Sequence, residues 1–199
     1  YGHQQVLFPI VQGSFFADLR EREAQRIAGL DVYGYAIGGL AVGEPNELRA
    51  EAIDLTVSYL PENRPRYTMG IGLPRDLLDA IRRGIDLFDC VVPTRNGRNA
   101  TLFTSGGRLN LRNSQYILDE RPVEENCPCP CCTQYSRAYL HHLYKAGEIL
   151  ALKLGSAHNL CYYFRLLKGA RDHLLQGDFL AWSEDRMKQM DTLSGHENT

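Results

Sequence analysis

Residues 66–92 read RYTMGIGLPRDLLDAIRRGIDLFDCVV, and the fold turns on how that stretch is parsed. Arg66 to Met69 is a short run suited to a strand, and Gly70-Ile71-Gly72 closes it. Pro74 then suits the first position of a helix, where its missing N–H costs nothing. Leu77, Leu78 and Ile81 recur at helical spacing and mark the inward side, and Gly84 ends the helix. Asp86 to Val92 (DLFDCVV) is the next apolar run. Strand, glycine turn, helix, strand is the unit from which parallel sheets are built.

The same rhythm runs back to the start of the chain. Gln5 to Val11 (QVLFPIV) is strand-like, Gln12-Gly13-Ser14 breaks it, and Phe15 to Leu30 reads as a helix capped by Ser14. Phe16, Leu19, Ala24 and Ile27 form its apolar positions. Val32 to Ile37 is a second run, ended by Gly38-Gly39. Pro45 opens a helix whose inward face is Leu48, Ala52, Ile53, Val57 and Leu60. Short connections with polar and glycine residues after each strand fit a TIM barrel or a doubly wound sheet. Four strands cannot close an eight-stranded barrel, so a barrel reading makes this half of one. The chain begins at Tyr1 and enters a strand almost at once, which implies that an N-terminal portion precedes it.

Beyond residue 100 the pattern changes. Thr101 to Arg112 (TLFTSGGRLNLR) alternates about Ser105-Gly106-Gly107 and reads as a β-hairpin. Tyr135 to Leu154 and Asn159 to Leu175 carry large apolar residues at three- and four-residue spacing and read as helices, and Asp191 to Thr199 is a polar tail.

With 44% hydrophobic and 23% charged residues the chain is of the soluble globular class. No stretch approaches the length of apolar residues that a membrane span requires. Twenty-two Lys and Arg against 24 Asp and Glu leave a net charge of −2, so any RNA contact must come from a local patch. Of the six cysteines, Cys90 and Cys161 stand alone, while Cys127, Cys129, Cys131 and Cys132 crowd together. A disulfide framework spreads its cysteines to close long loops, whereas a metal knuckle packs them, so the cluster points to a metal and a reducing, cytoplasmic location.

Cys127, Cys129 and Cys132 offer three thiolates at C-x-C-x-x-C spacing; zinc wants a fourth ligand, and His141, His142 and His158 are the candidates. Spacing alone does not choose among them. Cys131 reads as a non-ligand, with an exchange against Cys132 left open. A closed four-ligand site leaves no position for water, so this metal is structural.

Phe88-Asp89-Cys90-Val91-Val92-Pro93-Thr94-Arg95, continuing to Asn99, resembles the active-site segment of bacterial-type tRNA-guanine transglycosylases. Val11-Gln12-Gly13, Gly38 to Glu44 and Tyr67 to Gly72 are similar to three further segments of that family, in the same order. Cys127, Cys129, Cys132 and His158 match its zinc ligands, and Tyr135 to Leu143 the helix between them. The resemblance runs from Val6 to about Leu180. It implies an α/β fold: the C-terminal half of a TIM (β/α)8 barrel with an inserted zinc-binding subdomain and C-terminal helices. Residues 1–100 would be the half-barrel, 101–158 the hairpin and zinc subdomain, and 159–199 the C-terminal helices and tail.

The family exchanges guanine in the tRNA anticodon loop for a 7-deazaguanine base, and its members form homodimers. By resemblance Asp89 is the nucleophile, Gln12, Gly39 and Leu40 line the guanine pocket, Tyr67 and Met69 sandwich the base, and Arg95 and Arg98 hold the RNA. The family's upstream half carries a further aspartate pair that has no counterpart here, so the isolated chain is expected to turn over little. Residue chemistry agrees where it can be applied: a carboxylate at a strand's C-terminal end can capture an anomeric carbon, as in retaining glycosidases.

Read singly, the same residues have plainer roles. Asp89 could be a loop cap, Gln12 a strand-end amide, Gly38-Gly39 a turn, Tyr67 and Met69 core, and Arg95 and Arg98 a solvated loop. Cys90, the rival nucleophile, has no histidine near it in sequence and reads as a buried thiol. His141 and His142 read as packing or surface residues. Two other functions compete: a non-catalytic accessory tRNA-binding subunit of the same family, disfavoured by the retained Asp89, and a zinc-stabilised barrel hydrolase, disfavoured by the Gln12 and Gly39-Leu40 segments.

Overall fold

The computed structural model describes residues 5–192, which fall into two compact units divided between Cys90 and Val91. The first is an α/β unit. Strands β1 (Ile10–Val11), β2 (Tyr35–Ile37), β3 (Arg66–Met69) and β4 (Leu87–Asp89) alternate with helices α1 (Ala17–Ala28), α2 (Asn46–Val57) and α3 (Pro74–Arg82). The sheet is parallel throughout and its order is β1-β2-β3-β4, with no reversal. Right-handed crossovers in an unreversed order put successive helices on one side.

Register and burial agree with that. Val11, Ile37 and Thr68 align across the sheet and are sealed, at 0% exposure, whereas the row on the opposite face includes Ile10 at 37% and Leu87 at 45%. Ala24 and Ile27 of α1, Ile53 of α2 and Leu77 and Leu78 of α3 fill the covered side.

β3 and α3 lie where the sequence places them, with Pro74 at the first helical position and Gly84 in the left-handed region at φ 90°. α1 differs from expectation in its phase. Phe16 and Leu19 are exposed, and Arg20 takes the inward position beside Ala24 and Ile27. Ser14 is not its cap: it adopts φ 50°, and the N-cap residue is Phe16, without a side-chain bond. On α2, Thr56 is inward and Leu48 exposed. β1 is shorter than the apolar run that contains it, because β2 offers only a three-residue partner.

The second unit is α4 (Val92–Arg98), an antiparallel hairpin of β5 (Thr101–Thr104) and β6 (Gly107–Asn110), and helices α5 (Pro130–Gln134), α6 (Arg137–Ala146), α7 (Ile149–Gln176) and α8 (Phe179–Thr192). The division falls before α4 because that helix packs on α7, glycine against glycine. A Cβ on Gly97 would lie 2.7 Å from the backbone of Gly155, and one on Gly155 2.0 Å from the Tyr144 hydroxyl. α7 also runs unbroken through residue 158, and the helix break falls at Gly147, in the left-handed region at φ 75°. Leu102, Leu111, Val123, Leu140 and Ala151 form the centre of this unit's core, with Cys127, Cys129 and Cys131 packed into it. Of the polar tail, residues 193–199 lie outside the described residues.

Candidate active site and metal centre

In a parallel sheet, groups that act on ligands gather at the C-terminal ends of the strands. Here β1, β2, β3 and β4 end at Val11, Ile37, Met69 and Asp89. Met69 pairs with Asp89, and the side chains of both leave the sheet on the face that carries Tyr67. The Tyr67 hydroxyl donates to Asp89 Oδ1 at 2.6 Å. That bond is the main cause raising the tyrosine's pKa, with burial adding to it. Asp89 is thus an exposed carboxyl group oriented by a phenol at one oxygen, and its second oxygen has no hydrogen-bond partner among the described residues.

At the other side of the sheet Gln12 lies against the Gly38-Gly39 pair. A Cβ on Gly38 would sit 2.8 Å from Gln12 Nε2, and one on Gly39 3.2 Å from Gln12 Oε1. Only glycine lets the amide approach so closely. Gln12 and Gly39 are exposed, whereas the Leu40 side chain is buried at 6%, leaving its backbone as the part able to meet a ligand. Glu44 organises the segment that follows, accepting from the Ala41 N–H at 2.6 Å and the Val42 N–H at 2.9 Å. Burial opposes the Glu44 charge, but these backbone donors prevail and hold its pKa below the usual value.

Arg95 and Arg98 are not on a loop. They lie on α4, three residues apart and exposed, while Pro93 and Gly97 are buried. α4 is fixed by two buried side chains. The Tyr144 hydroxyl donates to the Gly97 carbonyl at 2.6 Å. Asn159, wholly buried on α7, donates to the carbonyls of Pro93 at 2.9 Å and Thr101 at 3.0 Å and accepts from the Phe103 N–H at 3.0 Å.

The second unit also brings Cys127, Cys129, Cys132 and His158 together, with all four ligand atoms within 4.8 Å of one another. His158 Nδ1 stands 3.8, 3.5 and 3.3 Å from the sulfurs of Cys127, Cys129 and Cys132. A tetrahedron with metal–sulfur bonds of about 2.3 Å and a metal–nitrogen bond of about 2.0 Å has edges of about 3.5–3.8 Å, so the four groups fit a single ion. His158 Nε2 faces the Phe103 carbonyl at 2.8 Å, which places the ring proton there and turns the Nδ1 lone pair toward the thiols. Burial pushes Cys127 up to about 11, while hydrogen bonds from Cys131 and Cys132 drive Cys129 well below the thiol range. A metal would displace protons on entering.

Cys131, at 0% exposure, belongs to the core and not to the four-ligand group. His141 is buried, its Nδ1 2.8 Å from the Leu111 carbonyl, and His142 is exposed.

Sequence reading missed the supports of these sites. The resemblance matches Tyr67 to base stacking and gives no sign of its bond with Asp89. Beside the metal cluster, Glu124 accepts from the Ser105 N–H at 2.7 Å and from Arg165 at 2.7 Å, and its carbonyl accepts from the Cys127 N–H at 3.4 Å. Burial disfavours the Arg165 charge, but Glu124 and the Cys127 sulfur outweigh it and raise its pKa. None of these carries a sequence signal beyond a charged residue in a helix or loop.

The chain is thus an α/β unit with a carboxylate at its strand ends, followed by a helical unit whose three thiols and one imidazole could hold a metal ion. The family model described as queuine tRNA-ribosyltransferase matches residues 1–192, and the chain belongs to that family. It is 54% identical over 169 residues to the queuine tRNA-ribosyltransferase of Dichelobacter nodosus, covering 85% of this chain and 46% of the relative. The relative from Caldanaerobacter subterraneus is 49% identical over 186 residues, 94% of this chain and 50% of its own. That from Rickettsia akari is 51% identical over 170 residues, 85% and 47% respectively. The chain thus spans about half the length of the curated relatives it matches. Among the described residues no helix is long and apolar enough to cross a membrane.

Proposed function

We propose that this chain is the C-terminal, nucleophile-bearing half of a tRNA-guanine transglycosylase, which exchanges guanine in the anticodon loop for a 7-deazaguanine base. The unreversed order of the parallel sheet, and the sealing of one face only, suit half of a TIM barrel whose other strands continue beyond β1 or β4. The observation that carries the functional reading is the exposed Asp89 at the end of β4, held at one oxygen by Tyr67.

In the reaction, the free Asp89 oxygen attacks the ribose anomeric carbon as the bond from that carbon to the guanine nitrogen breaks. Guanine leaves with the bonding pair and takes a proton from a group outside this chain. The incoming base then displaces the carboxylate and gives up its own proton, restoring Asp89. Gln12 and the backbone of Gly39 and Leu40 read the edge of the base, Tyr67 and Met69 flank its ring, and Arg95 and Arg98 take the RNA. Cys127, Cys129, Cys132 and His158 hold zinc, which supplies folding energy and no chemistry at the base. The three parts expected from the sequence then serve as half-barrel, zinc subdomain and C-terminal helices of a cytoplasmic, homodimeric enzyme.

The test joins the chain to the preceding half and supplies an anticodon-hairpin RNA with labelled guanine. Label should enter the RNA, a covalent protein–RNA adduct should map to residue 89, and Asp89→Asn should abolish both. An adduct at another residue, or exchange by the Asn variant at the parent's rate, would remove the assignment.

A further inference from the structure

Among the described residues Arg20 is the largest side chain that is wholly buried, at 1% exposure. A buried guanidinium ordinarily meets a carboxylate. Among the described residues none is paired with this one, and its partners are backbone and a hydroxyl. Nε and Nη2 donate to the Ser14 carbonyl at 2.9 and 2.6 Å, Nη2 also donates to the Gly38 carbonyl at 3.1 Å, and Nη1 donates to Thr56 Oγ1 at 3.2 Å. Thr56 is free to accept because its own hydroxyl donates to the Ala52 carbonyl at 2.6 Å.

Those two carbonyls lie on different loops. Ser14 follows β1 in the loop that begins with Gln12, and Gly38 follows β2 in the loop that continues to Gly39 and Leu40. The first loop is held in an unfavourable shape: Ser14 sits in the left-handed region at φ 50°, where L residues other than glycine are strained. Gly13, at φ 125°, passes so close to α1 that a Cβ there would stand 2.8 Å from the Arg20 backbone nitrogen. Burial without a countercharge lowers the arginine's pKa. A leucine at this inward position of α1 would avoid that cost, so the bonds made here are what the guanidinium contributes.

We propose that Arg20 is a positioning residue for base recognition, clasping the β1 and β2 loops so that the Gln12 amide and the Gly39-Leu40 backbone present one rigid edge. The assignment of that edge to a purine-like base rests on the function proposed above; the clasp itself does not. Lysine cannot replace the arginine, since a single ammonium does not span acceptors on two loops and a helix in the fork geometry a guanidinium supplies.

The test uses hydrogen exchange on the chain, comparing the parent with Arg20→Met and Arg20→Lys. The Phe16 N–H, bonded to the Gly13 carbonyl, and the Gly38 N–H, bonded to the Val11 carbonyl, report the two loops, and the Leu77 N–H on α3 reports the unit as a whole. Both variants should exchange the loop amides about tenfold or more faster, the worth of one charge-assisted bond, with Leu77 changed far less. Equal acceleration at all three amides would make Arg20 a general support and overturn the clasp, as would parent-like loops in Arg20→Lys, which decides the matter if Arg20→Met does not fold.

In the protein completed by its preceding half, both variants should raise KM for guanine about tenfold while kcat falls less. Loosened loops with an unchanged KM would remove the recognition role and leave the clasp. A completed parent that exchanges no base would sink the function proposed above, and with it the recognition role, while the exchange data still decide the clasp.

Discussion

Replacing Asn159 with aspartate changes one amide nitrogen for an oxygen and almost nothing in shape. The amide serves three buried backbone groups: it donates to the carbonyls of Pro93 and Thr101 and accepts from the Phe103 N–H. The carboxylate can still accept from Phe103, but it has nothing to donate to the two carbonyls. Each polar group stranded in this way costs about 1–3 kcal/mol, giving about 2–6 kcal/mol for the pair, before any penalty for burying the charge. A domain's whole stability is about 5–15 kcal/mol, so the change should take a large share of it. The only tryptophan in the sequence, Trp182 on α8, stacks on His173 at 4.8 Å and reports the second unit. With a urea slope of about 2 kcal/mol per molar, a loss of about 4 kcal/mol moves the fluorescence midpoint down by about 2 M. The comparison should be made with zinc in excess, so that metal linkage is the same in both proteins. Asn159→Ala, which gives up size as well as all three bonds and strands the Phe103 N–H too, should also be strongly destabilised. Should the aspartate variant unfold within a few tenths molar of the parent, the three bonds do not hold α4, the hairpin and α7 together.

Removing the metal, by chelation or by His158→Ala, should lower the Trp182 melting temperature by about 10 °C or more, because a structural ion contributes folding free energy directly. Metal analysis should find one ion per chain in the parent and in Cys131→Ala but none in Cys129→Ala; loss in Cys131→Ala would mean the ligands are misassigned. Arg165→Met should release zinc about tenfold faster than the parent in a chelator assay, as groups supporting a metal's ligands typically do, and an unchanged rate would confine Arg165 to pairing with Glu124. Asp119 is held well below the usual carboxylate range, first by Arg121 and also by Arg137, with burial opposing. A depressed folded pKa stabilises above the unfolded value and loses that stability as pH falls through the folded one. The stability gap between parent and Asp119→Asn should therefore be present above about pH 4 and shrink below it, and a gap constant to pH 2 would contradict the assignment.

What could be read in the sequence was what local chemistry dictates. Pro74 and Gly84 bracket α3 because each suits its end of a helix on its own terms, and the alternation of Thr101 to Asn110 about a glycine turn specifies the hairpin. The crowded thiols pointed to a metal site; spacing could not select His158, the family resemblance did, and α7 brings residue 158 back to the three thiols. The misread elements are those decided by distant partners. Residues 92–98 include proline, asparagine and glycine and look like a loop, but α7 supplies Gly155 for close packing and Asn159 for the buried Pro93 carbonyl, so a helix forms. Arg20 carries no signal of its role in the sequence, because a charged residue on a helix reads as solvated. Its acceptors are carbonyls, which any sequence provides and none reveals.

The first unit also shows how a three-residue strand serves stability and chemistry together. Successive residues face opposite sides of a sheet, so Val11, Ile37, Thr68 and Phe88 form one aligned row, while the paired Met69 and Asp89, and Gln12 and Gly38 one residue past the ends of β1 and β2, come next on the other face. The first row is apolar or small and faces the helices, and the second holds the groups that can meet a ligand. The two glycines between Gln12 and Asp89 in that arrangement do different work. Gly39 sits at φ 70°, a backbone shape that side chains resist, whereas Gly38 has ordinary dihedrals and is required only because a Cβ would strike Ile10 and the Gln12 amide. One glycine sets the path of the loop and the other clears the space its neighbour's side chain occupies. A side chain at either glycine would therefore disturb the Gln12 amide or the loop path, so both belong to the motif on physical grounds.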